Sequence, residues 1–377
     1  MAQRPMIPLL PALMVVTFLS GYQCSTGSAP PEDTWTYQIP MQVAGDWSVG
    51  SLVEAGIDQA PIDTLITGIR AGDFGAVHGV LIVREGVLVL EEYFPGTDID
   101  MMDKDFSRDT LHQTASCTKS VTSILIGIAF NHGLLTDLTE TLPQLFPDYT
   151  DLDWSGGRQD ITLEHLLTMR AGMFWNENPA DPDNSHLGLY SGSDPIRYIL
   201  ELPMTDVPGT RWHYNSGLPI LLGAILRNRT GLNAEQFAVQ YLFTPLGIDA
   251  CDWSLMPDGA PHTGGGLALR PRDMARIGQL YLQDGLWNSA RIVSEEWVEE
   301  STRTHSDEAR YGYLWWLDTH DIDGHEYHSF LAWGYGGQHI FVIRELELVV
   351  VFTGANIETG QPPWRMLEGF ILPAIRR

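Results

Sequence analysis

Lysine is almost absent from this sequence: only Lys104 and Lys119 occur, against 22 − 2 = 20 arginines. Arginine stays protonated in proteins, whereas lysine can lose its proton when its surroundings disfavour the charge. A lysine retained in a chain that otherwise uses arginine therefore suggests proton transfer. Lys119 stands three residues after Ser116, in the stretch Thr114–Ser120, so a hydroxyl that could lose its proton lies close by.

Cysteine is also scarce, since the chain holds only Cys24, Cys117 and Cys251. Three cysteines in 377 residues exclude a disulfide scaffold. A Cys117–Cys251 bond remains open in an oxidising compartment, but two separate packed thiols are the preferred interpretation. Nothing in the sequence points to a cofactor.

Positive charge is in short supply, with 22 basic against 48 acidic residues and a net charge of −26. Such a field repels nucleic acid and anionic lipid, which excludes both as expected partners. Hydrophobic residues make up 44% and charged residues 19%, as in an ordinary globular enzyme. Polyanionic substrates are likewise disfavoured, unless arginine is concentrated at the site.

The N-terminus reads as an export segment. Arg4 is the only charge before the apolar run Met6–Leu19, which is too short to span a bilayer as a mature helix. We expect a signal peptide over residues 1–29, a linker over 30–45, and a periplasmic or secreted protein. Cys24 is an alternative lipid-attachment site, and a lipid anchor there would be the only membrane contact.

Hydrophobic periodicity predicts an α+β fold. Two strands within residues 78–90, joined at Glu85–Gly86, form a hairpin. Val121, Ile124 and Ile128 follow helical spacing after Ser116. Further helices are expected at 162–169, 195–200, 218–229, 272–283 and 364–375, and further strands at 313–318, 330–333, 340–343 and 348–352.

Strands at both ends with helices between them predict one antiparallel sheet built from both termini. The α/β lobe should comprise about 46–115 and 261–377, with a mostly helical lobe inserted at about 116–260. Together these form the predicted single domain, 46–377.

Ser116 and Lys119 could react together if they lie in the first turn of the helix predicted to follow Ser116. Residues i and i+3 share a face, so hydroxyl and amine can meet. Burial disfavours the charged form of the amine, which could then take the serine proton. Free amides at the helix N-terminus are the groups that an oxyanion needs. A serine N-cap followed by a solvated lysine is the alternative.

Two further segments contain residues that could belong to an active site. Tyr214 lies in the Gly-flanked polar loop 208–217, where its phenol could share a proton with a nearby ammonium. Trp333-Gly334-Tyr335-Gly336-Gly337-Gln338 opens a strand with glycines that let the backbone approach a ligand. A packed loop tyrosine and a β-bulge are the respective alternatives.

With these motifs in order, the chain resembles the serine β-lactamase and penicillin-binding-protein superfamily over about residues 45–377. Within it, the branch of class C-like esterases and 6-aminohexanoate-oligomer hydrolases is the most similar. Ser116–Lys119 matches the first box, Tyr214-Asn215-Ser216 the tyrosine box, and Gly334–Gln338 stands where a Lys-Thr-Gly box would be. Residues 161–169, 264–267 and 311–316 support the match.

The resemblance implies a β-lactamase/transpeptidase-like fold and a serine hydrolase that cleaves a small-molecule ester or amide through an acyl-enzyme. Ser116 would be the nucleophile, Lys119 its base and Tyr214 the proton shuttle to the leaving group. The amides of Ser116 and of a residue near Tyr335 would form the oxyanion hole. Further residues implied in substrate binding are Gly334, Gly336, Gly337, Asn215, Ser216 and Trp333.

The sequence departs from the family pattern at two positions. The third box lacks a lysine, and Ser216 replaces the asparagine of the β-lactamase tyrosine box. Both departures favour neutral esters or amides over β-lactams, and Trp333 suggests an apolar pocket. A β-lactamase or D-Ala-D-Ala peptidase-like activity remains an alternative, as does a non-catalytic binder of cell-wall peptides or of a protein.

Other kinds of site are disfavoured. No Gly-x-Ser-x-Gly elbow occurs, which argues against an α/β-hydrolase. A histidine and aspartate group around Asp323-Gly324 is expected to decorate exposed ends of a hairpin rather than bind metal: His320, Asp321, Asp323, His325 and His328. The acidic loop 181–184 is read as a solvated rim rather than a calcium site.

Overall fold

The computed structural model describes residues 35–178, 181–357 and 362–376. The predicted signal peptide and Cys24 lie outside these residues. Trp35–Arg377 form one compact unit. Within the described residues, no helix has both the length and the apolar character that crossing a membrane requires.

The packed structure begins at a lower residue number than the sequence predicted. Tyr37, which the sequence placed in a linker, donates a hydrogen bond to the carbonyl of Val89 (2.8 Å) and accepts one from the amide of Leu52 (3.1 Å). From residue 35 onward, the predicted linker is therefore part of the packed structure.

A seven-stranded sheet forms the centre of the molecule. Its strands are β1 (Ser48–Val49), β2 (Val77–Arg84), β3 (Val87–Tyr93), β4 (Trp316–Ile322), β5 (His325–Gly334), β6 (Gln338–Ile343) and β7 (Leu348–Gly354). The spatial order is β1-β3-β2-β7-β6-β5-β4. Only the β1–β3 pairing is parallel. The predicted antiparallel sheet built from both ends of the chain is thus confirmed.

The β2–β3 hairpin follows from its turn residues. Glu85 and Gly86 both have positive φ, 53° and 75°, as a two-residue turn that matches the strand twist requires. Arg84 pairs with Val87 directly across it.

Helices cover both faces of the sheet. The longer helices are α1 (Gln59–Ala71), α2 (Cys117–Asn131), α3 (Gly217–Thr230) and α4 (Pro271–Leu282). Helix α4 packs across β6 and β7, and α2 packs against α3 and β5. The opposite face is covered by α1 and a C-terminal helical run of Pro362–Met366, a π-helical turn Leu367–Ile371, and Leu372–Ala374.

Shorter elements fill the segments between these helices and strands. The short helices are Leu142–Leu145, Arg158–Asp160, Leu163–Leu167, Ser185–Leu189, Pro195–Leu200, Ala234–Ala238, Val239–Phe243, Thr244–Leu246, Glu295–Ser301 and Arg344–Leu346. A small sheet joins His112–Gln113, Leu267–Leu269 and Asp252–Trp253. Two small ladders pair Gly96–Thr97 with Asp103–Lys104, and Leu286–Trp287 with Ala290–Arg291.

The β4–β5 hairpin differs from the prediction in two respects. Its first strand begins at Trp316, not at residue 313, and runs to Ile322. The expectation that its histidines and aspartates all decorate exposed strand ends was wrong for His320, which is buried. Its Nδ1 lies 2.8 Å from Glu368 Oε1 and its Nε2 lies 2.8 Å from Ser329 Oγ. Both ring nitrogens are thereby satisfied inside the fold.

Candidate active site

Ser116 stands at the N-terminus of α2, where its own side chain makes no capping hydrogen bond. Ala115 before it has φ +47°, a region that residues with a Cβ seldom occupy and that often marks functional sites. The Thr114 amide donates to the Leu267 carbonyl (2.9 Å). This bond fixes the segment leading to Ser116 on the small sheet.

Lys119 is directed into the interior and is 2% exposed. Its Nζ donates to Ser116 Oγ (2.7 Å) and to the carbonyl of Gly264 (2.6 Å). The neighbouring loop is held on α2 by Thr122, whose hydroxyl donates to the Thr263 carbonyl (2.8 Å). The alternative of a serine N-cap with a solvated lysine is therefore excluded.

Tyr214 completes the group around Ser116. Lys119 Nζ lies 5.0 Å from the centroid of the Tyr214 ring. The ring stacks on Trp316 with centroids 5.8 Å apart and planes 26° apart. Tyr214 and Ser116 line the same cavity, so the structure brings together the serine, lysine and tyrosine singled out from the sequence.

The glycine-rich box approaches Ser116 from β5. A Cβ on Gly334 would lie 2.3 Å from the Thr114 carbonyl oxygen, so only glycine lets the strand approach the segment before Ser116. Gly336 and Gly337 have φ +82° and +97°. Tyr335 is 52% exposed at the mouth of the cleft. The Gln338 side chain donates to the Gly354 carbonyl (2.5 Å) and so fixes the turn.

Ser116 lies where two cavities meet. The first, which we call the aromatic arm, has a volume of about 620 Å³ and lies beside Tyr214, Trp316, Trp333 and Gly334–Gly337. The second, the polar arm, has a volume of about 480 Å³ and contains Lys119, Ser216 and Gly264–Gly266. Ser116, Glu177 and Tyr335 line both.

Asn215 is the one sequence-predicted site residue that lines neither arm. It is buried, and its Oδ1 accepts a hydrogen bond from the amide of Gly217 (2.8 Å). Its contact is with the start of α3, which it helps to fix beside Tyr214.

Glu177 is a residue of the cleft that the sequence did not reveal. Its Oε1 accepts hydrogen bonds from Trp175 Nε1 (2.7 Å) and the Ser216 amide (2.9 Å), and its Oε2 lies 2.8 Å from His186 Nε2. Although burial opposes it, the bond with His186 and the charge of Lys119 lower the pKa of Glu177 to about 2. The cleft therefore contains a fixed carboxylate near Lys119.

His262 is a second residue that the sequence did not reveal. Burial and the nearby charge of Lys119 lower the pKa of His262 to about 4, so the ring is neutral near pH 7. Its Nδ1 is buried without a hydrogen-bond partner among the described residues. Both His262 and Glu177 lie in polar loops that match no motif, and only the fold places them beside Lys119.

The two described cysteines, Cys117 and Cys251, are free. Cys117 is buried and its Sγ donates to the Gln338 carbonyl (3.4 Å), while burial raises the pKa of Cys251 to about 11. Separate packed thiols are thus confirmed over a disulfide. Among the described residues, no three His, Cys, Asp or Glu side chains are grouped so as to hold a metal ion.

Comparison with known proteins gives a consistent set of relatives. A model of the Beta-lactamase family matches residues 64–364, about four-fifths of the chain. A 6-aminohexanoate-dimer hydrolase of Paenarthrobacter ureafaciens is 24% identical over 322 residues, which are 78% of this chain and 77% of that protein. A beta-lactamase of Escherichia coli is 28% identical over 158 residues, 42% of this chain and 39% of the other.

Solved structures share the fold. A family VIII carboxylesterase superposes with a TM-score of 0.65 and 18% identity, over 85% of this chain and 99% of the other. EstCE1, a hydrolase with promiscuous acyltransferase activity, gives a TM-score of 0.67 and 18% identity, over 82% and 97% of the two chains.

Proposed function

The chain belongs to the beta-lactamase family, a family of serine hydrolases, and from this premise we propose that it cleaves carboxylic esters or amides through an acyl-enzyme on Ser116. The observation that carries the proposal is the 2.7 Å contact between Ser116 Oγ and the buried Lys119 Nζ. Ser116 lies where the two arms of the cleft meet, and Lys119 lies beside it in the polar arm. A substrate bond could therefore be placed against Ser116 with one half in each arm.

In the proposed acylation, Ser116 Oγ forms a bond with the substrate carbonyl carbon while its proton passes to the neutral form of Lys119. The backbone amides of Ser116 and Tyr335 donate to the developing oxyanion. The bond to the leaving oxygen or nitrogen then breaks, and Tyr214 gives that atom its proton. Tyr214 takes a proton in turn from the Lys119 ammonium, so both groups return to their starting forms. Water releases the acyl group by the reverse sequence and returns the proton to Ser116.

Charge in the cleft supports a neutral substrate. Among the described residues lining the two arms, Lys119 is the only lysine or arginine, and the carboxylate of Glu177 lies near it. A substrate carboxylate would find no free cation there, which disfavours most β-lactams. The names of two similar proteins, a carboxylesterase and an aminohexanoate-dimer hydrolase, agree with ester and amide substrates.

Turnover of p-nitrophenyl acetate and butyrate tests the proposal, with Ser116→Ala as the control. We expect hydrolysis by the wild-type protein, no catalysed hydrolysis by the variant, and much slower turnover of nitrocefin. A comparison of p-nitrophenyl acetate with p-nitroacetanilide, a neutral amide of the same acyl group, separates esterase from amidase activity. If neither ester is cleaved and a fluorophosphonate probe does not label Ser116, the hydrolase proposal is wrong and a non-catalytic binder takes its place.

The N-terminal sequence supports a proposal on location. We propose that residues 1–29 direct export to the periplasm or the medium, with lipid attachment at Cys24 as the alternative anchor. Cell fractionation, together with the mass of the mature N-terminus, tests this. A mature protein that retains Met1 and remains in the cytoplasm would contradict export.

A further inference from the structure

His339 is a buried histidine that the proposed reaction does not use. It lies on β6 opposite Trp333 of β5 and is 1% exposed. Its ring is nearly parallel to that of Phe341, with centroids 5.2 Å apart and planes 9° apart, and Trp364 approaches edge-on at 4.6 Å. The ring is thus held in one orientation by aromatic neighbours.

Neither nitrogen of His339 has a hydrogen-bond partner among the described residues, and both are shielded from solvent. A ligand hydroxyl in the neighbouring cavity would reach them only if Trp364 or another neighbour of the ring moved aside. The backbone of Gly337 lies nearby but makes no hydrogen bond of good geometry with the ring. Burial lowers the pKa of His339 to about 3, so the imidazole is neutral and offers one donor and one acceptor. A buried polar group left unpaired is costly, and one that lines a cavity is a candidate for binding a ligand.

His339 lines the aromatic arm, the same cavity that Ser116 lines. The indoles of Trp316 and Trp333 form part of its wall, with centroids 5.1 Å apart, and Pro362 and Pro363 form another part. Aromatic faces of this kind favour flat rings through stacked or edge-to-face contacts. A volume of about 620 Å³ accommodates such a group.

Tyr214 indicates which half of the substrate enters this arm. In the proposed reaction Tyr214 gives its proton to the leaving atom, and its ring lines the aromatic arm but not the polar arm. The alcohol or amine half should therefore extend into the aromatic arm, and the acyl half into the polar arm.

We propose that the aromatic arm is a binding site for an aryl group that carries a hydroxyl, and that His339 hydrogen-bonds this hydroxyl. The preferred substrates are then esters or amides of hydroxyaryl alcohols or amines. The predicted substrate preference rests on the proposed hydrolase function. Binding of a hydroxyaryl group to the aromatic arm can be tested without turnover.

The kinetic test uses three acetates that differ only in the alcohol: 2-(4-hydroxyphenyl)ethyl, 2-phenylethyl and 2-cyclohexylethyl acetate. We expect kcat/KM to be about tenfold higher for the hydroxyphenyl ester than for the phenyl ester, as one added hydrogen bond allows. The cyclohexyl ester should be the poorest. In His339→Phe the hydroxyphenyl-to-phenyl ratio should fall to about one.

Two variants keep this test decisive. His339→Gln retains a donor and an acceptor, so part of the preference should return. His328→Phe makes the same change at an exposed position of β5 and should leave the ratio as in the wild type. A ratio near one in the wild-type protein, or an unchanged ratio in His339→Phe, would overturn the inference.

Binding to the Ser116→Ala protein separates this inference from the proposed function. By calorimetry, 2-(4-hydroxyphenyl)ethanol should bind about tenfold more tightly than 2-phenylethanol, and adding His339→Phe should equalise the two. If the hydroxyphenyl alcohol binds more tightly but the wild-type protein cleaves no ester, the hydrolase proposal is wrong and the binding site is supported. If the wild-type protein cleaves esters but the two alcohols bind equally, the hydrolase proposal is supported and the hydroxyaryl site is wrong.

Discussion

Lys119 Nζ donates a 2.6 Å hydrogen bond to the carbonyl oxygen of Gly264, a residue 145 positions later in the chain. Because the same nitrogen lies 2.7 Å from Ser116 Oγ, the Gly264 carbonyl fixes the amine against the hydroxyl. The helix supplies the lysine, and a distant loop sets its direction. The proposed proton transfer from Ser116 would therefore depend on both segments.

We expect Lys119→Arg to lower kcat for p-nitrophenyl butyrate by about 10³-fold, within the range for loss of a general base. A guanidinium keeps the positive charge but does not accept the proton. Lys104→Arg is the matched control, because Lys104 is the only other lysine and its side chain is exposed, where it pairs with Asp98. Equal activity of the two variants would show that charge alone suffices at position 119.

Gly334→Ala should remove most activity and lower stability. The added Cβ would lie 2.3 Å from the Thr114 carbonyl oxygen, so β5 or the segment before Ser116 must move, at a cost of about 1–3 kcal/mol. Gly192→Ala is the control, because nothing lies within 4 Å of its added Cβ. Urea unfolding and esterase assays measure both effects, and a fully active Gly334→Ala protein would contradict the close approach.

Glu177→Gln should reduce kcat more than it changes KM, by about 10–100-fold. The amide removes the negative charge near Lys119, which would otherwise stabilise the ammonium formed when the lysine takes the serine proton. It also turns an NH₂ toward one of the donors that now contact Glu177. Asp183→Asn, an exposed change in the same loop, should be neutral. A change confined to KM would instead indicate a role in substrate binding.

The local parts of the site could be predicted from the sequence. Ser116 and Lys119 lie one helical turn apart, so helical periodicity predicts that their side chains share a face. The turn at Glu85–Gly86 likewise depends only on neighbouring residues. For Tyr214 and Gly334 the residues left alternatives open, and the family resemblance supplied the roles.

The remaining parts depend on contacts between distant segments. Glu177 enters the cleft because its carboxylate accepts from the Ser216 amide, 39 residues away, and no spacing rule encodes that contact. His320 lies beside a correctly predicted hairpin turn. Its burial depends on Glu368 of the C-terminal helical run, which the hairpin sequence does not reveal.

Acidification should destabilise the protein before most carboxylates titrate. Burial lowers the pKa of His78 and His262 to about 4 and that of His339 to about 3, against an ordinary value of about 6.5. Between these values the unfolded chain binds more protons than the folded one. Stability is therefore complete above about pH 6.5 and falls as the pH drops toward the folded values. Asp273 opposes this loss of stability. Burial raises the pKa of Asp273 to about 6, so its protonation favours the folded state below that pH.

Burial also lowers the pKa of His112, His165 and His305, and it raises the pKa of Glu92 as it does that of Asp273. Because the histidines outnumber the two carboxyls, the free energy of unfolding in urea should be lower at pH 5 than at pH 7. Each histidine with a pKa of about 3 or 4 contributes up to about 2 kcal/mol of this difference. In His339→Phe the difference should shrink by about that amount, because the unfolded variant no longer takes up a proton there. His328→Phe, at an exposed position, should retain the wild-type difference. Equal stability of the wild-type protein at the two pH values would show that these buried rings are protonated without cost.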